Sequence, residues 1–497
     1  MSITDLPVPA AAPASVPVLR LPDPAPPAAA DVEVLRSRVH GPVYVAGEQG
    51  MAAEVACWNL AVEHRPAVVV GATCAADVAA AVGWAAGHDL AVAVQATGHG
   101  PVRGVTGALL VSTRRMQGVA IDPHRRVARV QAGVKWAKLL AAAAEYGLTA
   151  PVGSSSDVGV VGYTVGGGVG PLGRKHGFAA DHVQALEIVT ADGVLHRVCA
   201  DEEPELFWAV RGSKSNLGIV TSLEIGLVPG DALYGGGVFF AADDAAAVLH
   251  AFREWAPTLP EEVTTSVAVL RLPPMEQLPE PLRGQTAVHL RFTATGLAPA
   301  DAEALLAPMK AAGRVLLGFA GPLLPTELDS VHMDPVEPMP AWEKGMLLTE
   351  LTAETVDALL AAAGPQVQVP LISVELRQLG GALARQPRVP NAVSGRDGAW
   401  SAMVIAPMVP ELAQAAPLAG RAVLGALAPW AAAGCLVNFL GDVDGVADVV
   451  AAYPPAVAER LLEVKRRVDP TGVFSFGYSL TERALTERAL PAAADPS

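Results

Sequence analysis

His99 is the residue whose type and setting first indicate chemistry. It lies in the run Thr97-Gly98-His99-Gly100, between two glycines. A neutral imidazole in such a loop can act as a base, a ligand or a nucleophile. No Ser-His-Asp spacing and no second metal-ligating cluster accompanies it, so we expect no metal site. Because a lone histidine is more often structural than functional, the role of His99 has to be inferred from the sequence around it.

A glycine-rich stretch follows at Ala150–Gly173. Its glycines are Gly153, Gly159, Gly162, Gly166, Gly167, Gly168, Gly170 and Gly173. Glycine is used where a chain takes positive φ or presses against something, so we expect this stretch to lie against a large, flat, polar ligand. The alternative is a flexible surface linker, but Val158, Val160 and Val161 are too apolar for one. We expect no regular helix or strand here, and the spacing fits neither a P-loop nor a Rossmann fingerprint.

A strand–helix–strand unit determines where His99 lies. Ala67–Gly71 and Leu90–Gln95 are apolar strand patterns, and Ala75–Ala86 between them has helical spacing. Such a unit makes its two strands parallel. His99 therefore follows the end of a strand directly, where a ligand-binding loop would lie.

The character of the sequence changes at Pro229-Gly230. Runs of strands and helices beyond this point predict an antiparallel sheet covered on one face. The predicted strands are Val263–Leu270, Thr286–Thr293, Val367–Gln378 and Trp400–Ile405, with a further strand at Cys435–Leu440. The proline-rich segments 272–281 and 322–340 are either walls of a cavity or interface, or surface loops.

Composition excludes several classes of function. A chain of 497 residues holds two or three domains. Its net charge of −15 argues against nucleic acid or an anionic membrane as a partner. The 4 cysteines are scattered, which indicates neither disulfides nor zinc and favours a reducing, cytoplasmic location. The Pro/Ala-rich N-terminus lacks the pattern of a signal peptide.

Several longer motifs carry a resemblance to a known family. They are Arg65–Val70, Gly98–Gly100, Val158–Gly168, Val189–Gly193, Phe207–Gly212, Asn216–Thr221, Val437–Asp442 and Val464–Pro470. On these motifs the chain resembles the berberine-bridge-enzyme-like oxidoreductases of the vanillyl-alcohol-oxidase fold. It is most similar to their bacterial members in secondary metabolism and antibiotic biosynthesis.

The resemblance implies an α+β protein with a two-part FAD-binding domain of the PCMH type. An inserted substrate domain would be built on an antiparallel sheet covered by helices. The implied boundaries are 1–32 for a disordered tail, 33–229 for the FAD-binding domain, 230–433 for the substrate-binding domain, 434–482 for a segment returning to the FAD domain, and 483–497 for a second tail.

The resemblance also implies FAD, covalently bonded through His99 to the flavin 8α-methyl carbon. Many relatives add a second link from a cysteine to flavin C6. Ser155 stands at that position, so one covalent bond is expected. The expected FAD contacts are His99, Thr97, Gly98, Gly100, Gly153, Ser154, Ser155, Asp157, Val158, Gly159, Gly162, Tyr163, Thr164, Gly166, Gly167, Gly168, Gly218, Ile219, Val220 and Asn438.

The stretch Val374–Ala382 resembles the family's substrate strand, whose alternate side chains face the flavin. It makes Glu375, Arg377 and Gln378 candidate substrate contacts. A solvated sheet face or a structural ion pair explains these residues equally well. His289 and Arg291, on a neighbouring strand, are weaker candidates.

The sequence departs from the family at the catalytic base. Leu436 and Phe439 stand where many relatives carry a tyrosine, and neither can accept a proton. We expect Glu375 to serve ahead of Tyr478, because burial raises a carboxyl pKa toward neutral whereas an unperturbed tyrosine titrates at about pH 10. Arg377 completes the expected catalytic set. Tyr163 is expected to pack beside the flavin ring.

The expected function is an oxidase that transfers a hydride from a small organic molecule to flavin and then to O2. A natural-product intermediate is the favoured substrate, with a sugar or alcohol second. Two other readings stay open: a non-redox cyclase that keeps FAD as a scaffold, and a flavin-binding interaction protein without catalysis. The oligomeric state is open.

Overall fold

The computed structural model describes residues 27–100 and 103–481. Its helices are α1 (Ala29–Arg36), α2 (Met51–Val55), α3 (Ala75–Ala86), α4 (Trp136–Ala144), α5 (Val160–Thr164), α6 (Gly173–His176), α7 (Pro204–Val210), α8 (Ala245–Trp255), α9 (Pro299–Lys310), α10 (Ala353–Ala363), α11 (Ala415–Leu427), α12 (Val446–Ala451) and α13 (Pro455–Val468). Its strands are β1 (Val43–Val45), β2 (Val68–Gly71), β3 (Val92–Gln95), β4 (Leu109–Ser112), β5 (Val119–Asp122), β6 (Val127–Gln131), β7 (Leu148–Thr149), β8 (Val183–Val189), β9 (Leu195–Cys199), β10 (Ile219–Gly226), β11 (Val228–Pro229), β12 (Leu233–Ala241), β13 (Val263–Arg271), β14 (Thr286–Thr295), β15 (Val315–Leu323), β16 (Ala341–Leu348), β17 (Ser373–Gln378) and β18 (Trp400–Pro407).

The first sheet has the spatial order β1-β2-β4-β3, with β2, β4 and β3 parallel and β1 antiparallel. Its strands are wholly apolar where they are buried on both faces, as at Val68–Val70. Helix α3 packs Val78 and Val82 into the same core. The predicted strand–helix–strand unit is confirmed, and β4 lies between its two parallel strands.

A second, antiparallel sheet has the order β5-β6-β10-β8-β9. Its core also receives Leu461 and Val464 from the C-terminal helix α13. The buried Lys465 ammonium of that helix donates to the carbonyl of Asn216 at 2.7 Å and to that of Phe474 at 2.8 Å. The end of the chain thus packs against the part that precedes β12.

The third sheet is antiparallel throughout, in the order β15-β12-β14-β13-β17-β18-β16. Val267, Leu290 and Val374 point to one face, where they pack in a core with helices α8, α9, α10 and α11. Because side chains alternate along a strand, the neighbouring residues point to the opposite face. The prediction of an antiparallel sheet covered on one face is confirmed.

Two expectations about secondary structure differ from the structure. The predicted strand Cys435–Leu440 is wrong: Val437–Phe439 forms a 3₁₀ turn, and Gly434 and Gly441 at its two ends take φ of +78° and +64°. Helix α5 forms inside the glycine-rich stretch, where no helix was expected, because Val160 and Val161 are buried there.

Helix α1 begins at Ala29, inside the segment assigned to the N-terminal tail. The remainder of that tail, up to residue 26, and the C-terminal tail lie outside the described residues. Across the described ranges, no helix combines the length and apolar character needed to cross a membrane.

Candidate active site

The glycine-rich stretch Ala150–Gly173, called the glycine loop below, is close-packed and largely buried. Gly167 and Gly168 take φ of +107° and +77°, conformations that favour glycine. A Cβ on Gly170 would collide with the Val152 carbonyl oxygen, and one on Gly166 would collide with the Asn438 side chain. The linker interpretation is therefore wrong for this part of the stretch.

Not every glycine in the predicted set is constrained in this way. Gly162, in α5, is exposed, and a Cβ there would meet open space. A Cβ on Gly100 would also meet nothing, whereas Gly98 has φ of +72° and would place its Cβ 2.6 Å from Cys57 Cα. Gly218 has φ of +153° and no room for a Cβ beside the Val189 carbonyl.

His99 is held in one orientation by its neighbours. Its ring stacks on Trp58 with centroids 4.7 Å apart, and its Nδ1 lies 2.9 Å from Thr97 Oγ1. Burial lowers the pKa of His99 to about 4, against an opposing effect of Asp157. The other ring nitrogen, Nε2, is buried without a hydrogen-bond partner, and it lies 3.7 Å from Asp157 Oδ2. His99 is thus a neutral imidazole with one free nitrogen, which is the form that a nucleophile requires.

Further unsatisfied polar atoms lie around the glycine loop. Asn438 donates through Nδ2 to the Tyr163 carbonyl at 2.9 Å, while its Oδ1 is buried without a partner. The Tyr163 hydroxyl is also buried without a partner, and its ring meets Trp136 edge-on. Buried polar groups are normally hydrogen-bonded, so these atoms indicate a polar ligand. They fit a cofactor with many hydrogen-bonding edges, as FAD has.

Other predicted contact residues have internal partners. The Thr164 hydroxyl donates to the Val160 carbonyl at 2.7 Å, and Ser155 Oγ accepts from the Asp157 backbone N–H at 3.3 Å. Asp157 also pairs with Lys135. Ile219 and Val220 lie buried at the start of β10. The remaining members of the predicted set, Gly153, Ser154, Val158 and Gly159, lie between β7 and α5.

The face of the third sheet opposite helices α8–α11 carries a buried group of charges. Strand β13 lies between β14 and β17, so that Ser266 is opposite Arg291 on one side and Arg377 on the other. Glu375 pairs with Arg291 Nη1 at 3.0 Å and with Arg377 Nη2 at 3.1 Å. The three side chains are each less than one-tenth exposed.

The ion pairs determine the protonation of Glu375. Burial alone would raise the pKa of this carboxyl, but Arg377 and Arg291 together hold the pKa well below its usual range. The expectation that burial brings the pKa of Glu375 toward neutral is therefore wrong. Glu375 is a firmly ionised partner of two guanidinium groups.

Two histidines complete this charged face. Arg291 Nε donates to His289 Nδ1 at 3.3 Å, and Arg377 Nη2 lies 3.4 Å from His332 Nε2. Burial, reinforced by the arginines, lowers the pKa of both histidines well below the usual range, so both are neutral. His332 was not foreseen as a site residue; the only signal was the proline-rich segment 322–340, considered as a possible cavity wall.

A small cavity, partly open to solvent, joins the charged face to the glycine loop. Its walls include Gly170, Pro171, Thr264, Ser266, Arg291, Thr293, His332 and Arg377. Arg377 Nη1 also donates to the Val169 carbonyl of the glycine loop at 3.4 Å. The loop and strand β17 thus meet at one place.

The structure does not bring every predicted catalytic or substrate residue to this cavity. Gln378 points to the other face, where its Nε2 donates to the Ala256 carbonyl at 2.7 Å. The Tyr478 hydroxyl is buried and donates to the Gly441 carbonyl at 3.0 Å. Burial further raises the pKa of Tyr478, so it is a poor proton acceptor. Leu436 is buried in an apolar cluster, and Phe439 packs beneath Arg377.

A pair of titratable groups, Lys214 and Glu343, was also missed by the sequence analysis. Lys214 has φ of +58° and its side chain lies beside Gly166. Burial lowers the pKa of Lys214 to about 8, and burial raises the pKa of Glu343 to about 7, with each charge opposing the shift of the other. Lys214 lies between Ser213 and Ser215 in the segment that joins α7 to β10.

His40, Cys74 and Asp77 bring metal-ligating atom types within 4.8 Å of one another. The Asp77 carboxylate already accepts hydrogen bonds from the backbone N–H groups of His40, Gly41 and Thr73. These bonds account for its burial without a cation.

Comparison with known proteins agrees with this geometry. Residues 66–198 match the family model described as FAD binding domain. This match supports the predicted resemblance within residues 66–198, and it supports FAD as the cofactor.

Among curated relatives, the (R)-6-hydroxynicotine oxidase of Paenarthrobacter nicotinovorans is 33% identical over 225 residues. The match covers 45% of this chain and 46% of that protein, so the chain spans about half the length of the relative.

Solved structures extend the likeness to the whole fold. BBE-like 1 of Physcomitrella patens has a TM-score of 0.77 at 19% identity, covering 91% of this chain and 99% of that one. The xylooligosaccharide oxidase of Myceliophthora thermophila has the same TM-score at 20% identity, with the same coverage of both chains. The predicted α+β architecture with a PCMH-type FAD-binding fold is confirmed.

Proposed function

We propose that the protein is an FAD-dependent oxidase that transfers a hydride from a small organic substrate to the flavin, with O2 as the final electron acceptor. The observation that carries this proposal is the cavity between the glycine loop and the charged face, with Gly170 in one wall and Arg291 in another. A substrate in this cavity would touch both the FAD-binding domain and the substrate strand. The names of the relatives, which include oxidases of a hydroxynicotine and of xylooligosaccharides, support the reaction class.

In this proposal FAD is held by the glycine loop, His99, Tyr163 and Asn438. When bound, the flavin supplies the hydride acceptor. His99 would hold the flavin through Nε2, because Nδ1 lies at hydrogen-bond distance from Thr97 Oγ1 while Nε2 is buried without a hydrogen-bond partner. Ser155 provides no thiol for a second bond.

The proposed domain division follows the sheets. Residues 33–229 and 434–482 would form the FAD-binding part, and 230–433 the substrate-binding part. The 4 cysteines, all described, are free thiols, which supports the proposed cytoplasmic location. Secondary metabolism is the proposed setting, and it rests on the sequence resemblance.

The residues on the cavity wall have binding roles in this proposal. Glu375 fixes Arg291 and Arg377 instead of taking a proton, since its charge is already shared between them. His332 and Thr293 add hydrogen-bonding groups to the same wall. None of these groups is a strong base.

The lack of a strong base among the residues described on the cavity wall favours one alternative, a non-redox cyclase that keeps FAD as a scaffold. Leu436 and Phe439 cannot accept a proton, and Glu375 and Tyr478 both have fixed partners. Anaerobic mixing of the FAD-loaded protein with candidate substrates separates the two functions. The oxidase proposal predicts loss of flavin absorbance, followed by its recovery on admission of O2. Product formed while the flavin stays oxidised would establish the cyclase instead.

A further inference from the structure

The cavity wall presents several hydrogen-bond donors. Arg291 and Arg377 offer only N–H groups. Arginine has no acceptor, so the approach of Arg377 Nη2 to His332 Nε2 makes that nitrogen the acceptor and leaves the proton on Nδ1. His332 Nδ1 is buried without a partner, as is the Thr293 hydroxyl. A ligand here meets donors that need an acceptor.

The charges on this wall are also unequal. Two buried guanidinium groups share the single carboxylate of Glu375. Within the described residues, neither arginine has a second carboxylate at ion-pair distance. Both neighbouring histidines are neutral. Asp334 also faces the group, and burial raises the pKa of its carboxyl, partly against Arg291.

We propose that the substrate is an anion, and that its carboxylate binds between Arg291 and Arg377, with the Thr293 hydroxyl and His332 Nδ1–H as further donors. This inference deepens the proposed function and rests on it. A buried positive charge is costly unless it is paired, and charge-assisted hydrogen bonds are the strong ones. A carboxylate would supply both the missing negative charge and the missing acceptors.

An ion triad of this kind can also be purely structural, since buried Arg–Glu–Arg groups do occur without a ligand. The two roles predict different effects of Glu375→Gln on the affinity for an anion. If the triad awaits an anion, removing the charge of Glu375 leaves more positive charge for that anion to neutralise. Glu375→Gln should then bind the anion more tightly. A structural triad would merely lose stability.

The probes are benzoate and benzamide, which have nearly the same shape and differ in charge. Each is titrated into the FAD-loaded protein, and binding is followed by calorimetry and by the flavin absorption spectrum. Benzoate should bind at least about 10-fold more tightly than benzamide, as expected for hydrogen bonds to a charged group. Glu375→Gln should lower the Kd for benzoate at least about 5-fold, and benzoate should raise its Tm more than that of the wild type.

Three further variants keep the test independent of Glu375. Thr293→Val removes an unpartnered hydroxyl with little change in shape, and should weaken benzoate binding about 3- to 10-fold. Arg385→Gln removes an exposed guanidinium paired with Glu261, and should leave the affinity unchanged. Arg291→Lys keeps the charge but loses the fork of N–H donors. Its loss of benzoate affinity should lie between those of Thr293→Val and Arg385→Gln.

Equal binding of benzoate and benzamide would overturn the proposal, as would no binding of benzoate at all. It would also be overturned if Glu375→Gln bound benzoate no better than the wild type while retaining its fold and flavin. Failure of the oxidase proposal would appear differently, as absent flavin or a flavin that no substrate reduces.

Discussion

The glycine loop and the charged sheet face line the same cavity but are built in opposite ways. The loop contributes backbone: at Gly166, Gly168 and Gly170 there is no room for a Cβ. The sheet face contributes long side chains, with Glu375 held between Arg291 and Arg377. The loop is therefore a surface of fixed shape, whereas the sheet face is a surface of fixed charge.

Because of this difference, the two surfaces suit different ligands. A backbone surface that tolerates no side chain suits a cofactor that every turnover uses. A surface of exchangeable side chains suits the substrate, which varies among relatives of one fold. Changes in the loop should therefore affect flavin content and stability, whereas changes on the sheet face should affect charge and substrate binding.

The largest expected effect comes from Gly170→Ala. Its Cβ would collide with the backbone of Val152, so the free energy of unfolding should fall by about 3 kcal/mol or more. Most of the bound flavin should be lost as well. Gly167→Val should behave similarly, because φ of +107° strains any residue with a Cβ. Denaturant unfolding and the flavin-to-protein absorbance ratio measure both effects.

Gly425→Ala is the matched control for the loop. Gly425 is exposed in α11, outside the glycine loop, and a Cβ there would meet open space, so the change should be neutral or stabilise by about 0.5–1 kcal/mol. If Gly170→Ala and Gly425→Ala had the same stability and flavin content, the close-packed loop would not be a determinant of either.

Glu375→Gln should have the next largest effect. Leaving two buried guanidinium groups without their partner should cost about 3–5 kcal/mol at neutral pH. Since the folded pKa is depressed, the stabilisation is present above the ordinary pKa of about 4.3 and is lost as the pH falls below it. Wild-type Tm should thus fall in acid more steeply than that of the variant.

Glu261→Gln is the control for that experiment. Its ion pair with Arg385 is exposed, so the change should leave the stability of the fold nearly unchanged. An equal loss of stability in Glu261→Gln and Glu375→Gln would contradict the special status of the buried triad.

Glu343→Gln should show a pH dependence of the opposite sign. Burial raises the folded pKa of Glu343 to about 7, so the folded state holds a proton that the unfolded state has released. Wild-type stability relative to this variant should therefore decline as the pH rises from about 4.3 toward 7. Thermal unfolding of both proteins across this range measures the difference. A difference that is flat with pH would contradict the raised pKa.

Tyr478→Phe should have the smallest effect. It removes one buried hydrogen bond to the Gly441 carbonyl, which should lower the free energy of unfolding by about 1 kcal/mol. The rate of anaerobic flavin reduction should stay within a factor of about two, because the hydroxyl belongs to the core. A fall of about 100-fold or more would return Tyr478 to the role of base.

The same contrast explains what could be predicted from the sequence. The loop is continuous in the chain, so its glycine spacing was visible, and His99 followed a recognisable strand end. The charged face depends on the register of β13 with β14 and β17, which places Ser266 between Arg291 and Arg377. No local pattern records such a register.

The pKa of Glu375 could not be anticipated for the same reason. Burial alone would have raised it, and only the positions of two arginines from different parts of the sheet reverse the shift. His332 was missed because it directly follows a 3₁₀ helix, Pro325–Val331, in a proline-rich segment whose sequence has no helical or strand periodicity. Strand Cys435–Leu440 was mispredicted because apolar residues next to a binding site were taken for a strand.

Acid precipitation of the purified protein tests the central claim, that His99 attaches FAD in this site, most directly. The account predicts that flavin stays with the denatured wild-type chain, on the peptide that contains His99, and that His99→Ala releases it. A Trp58→Phe variant, which keeps an aromatic ring against the imidazole, should retain the bond. Flavin recovered wholly free from the wild-type protein, or bound to a peptide without His99, would contradict the account.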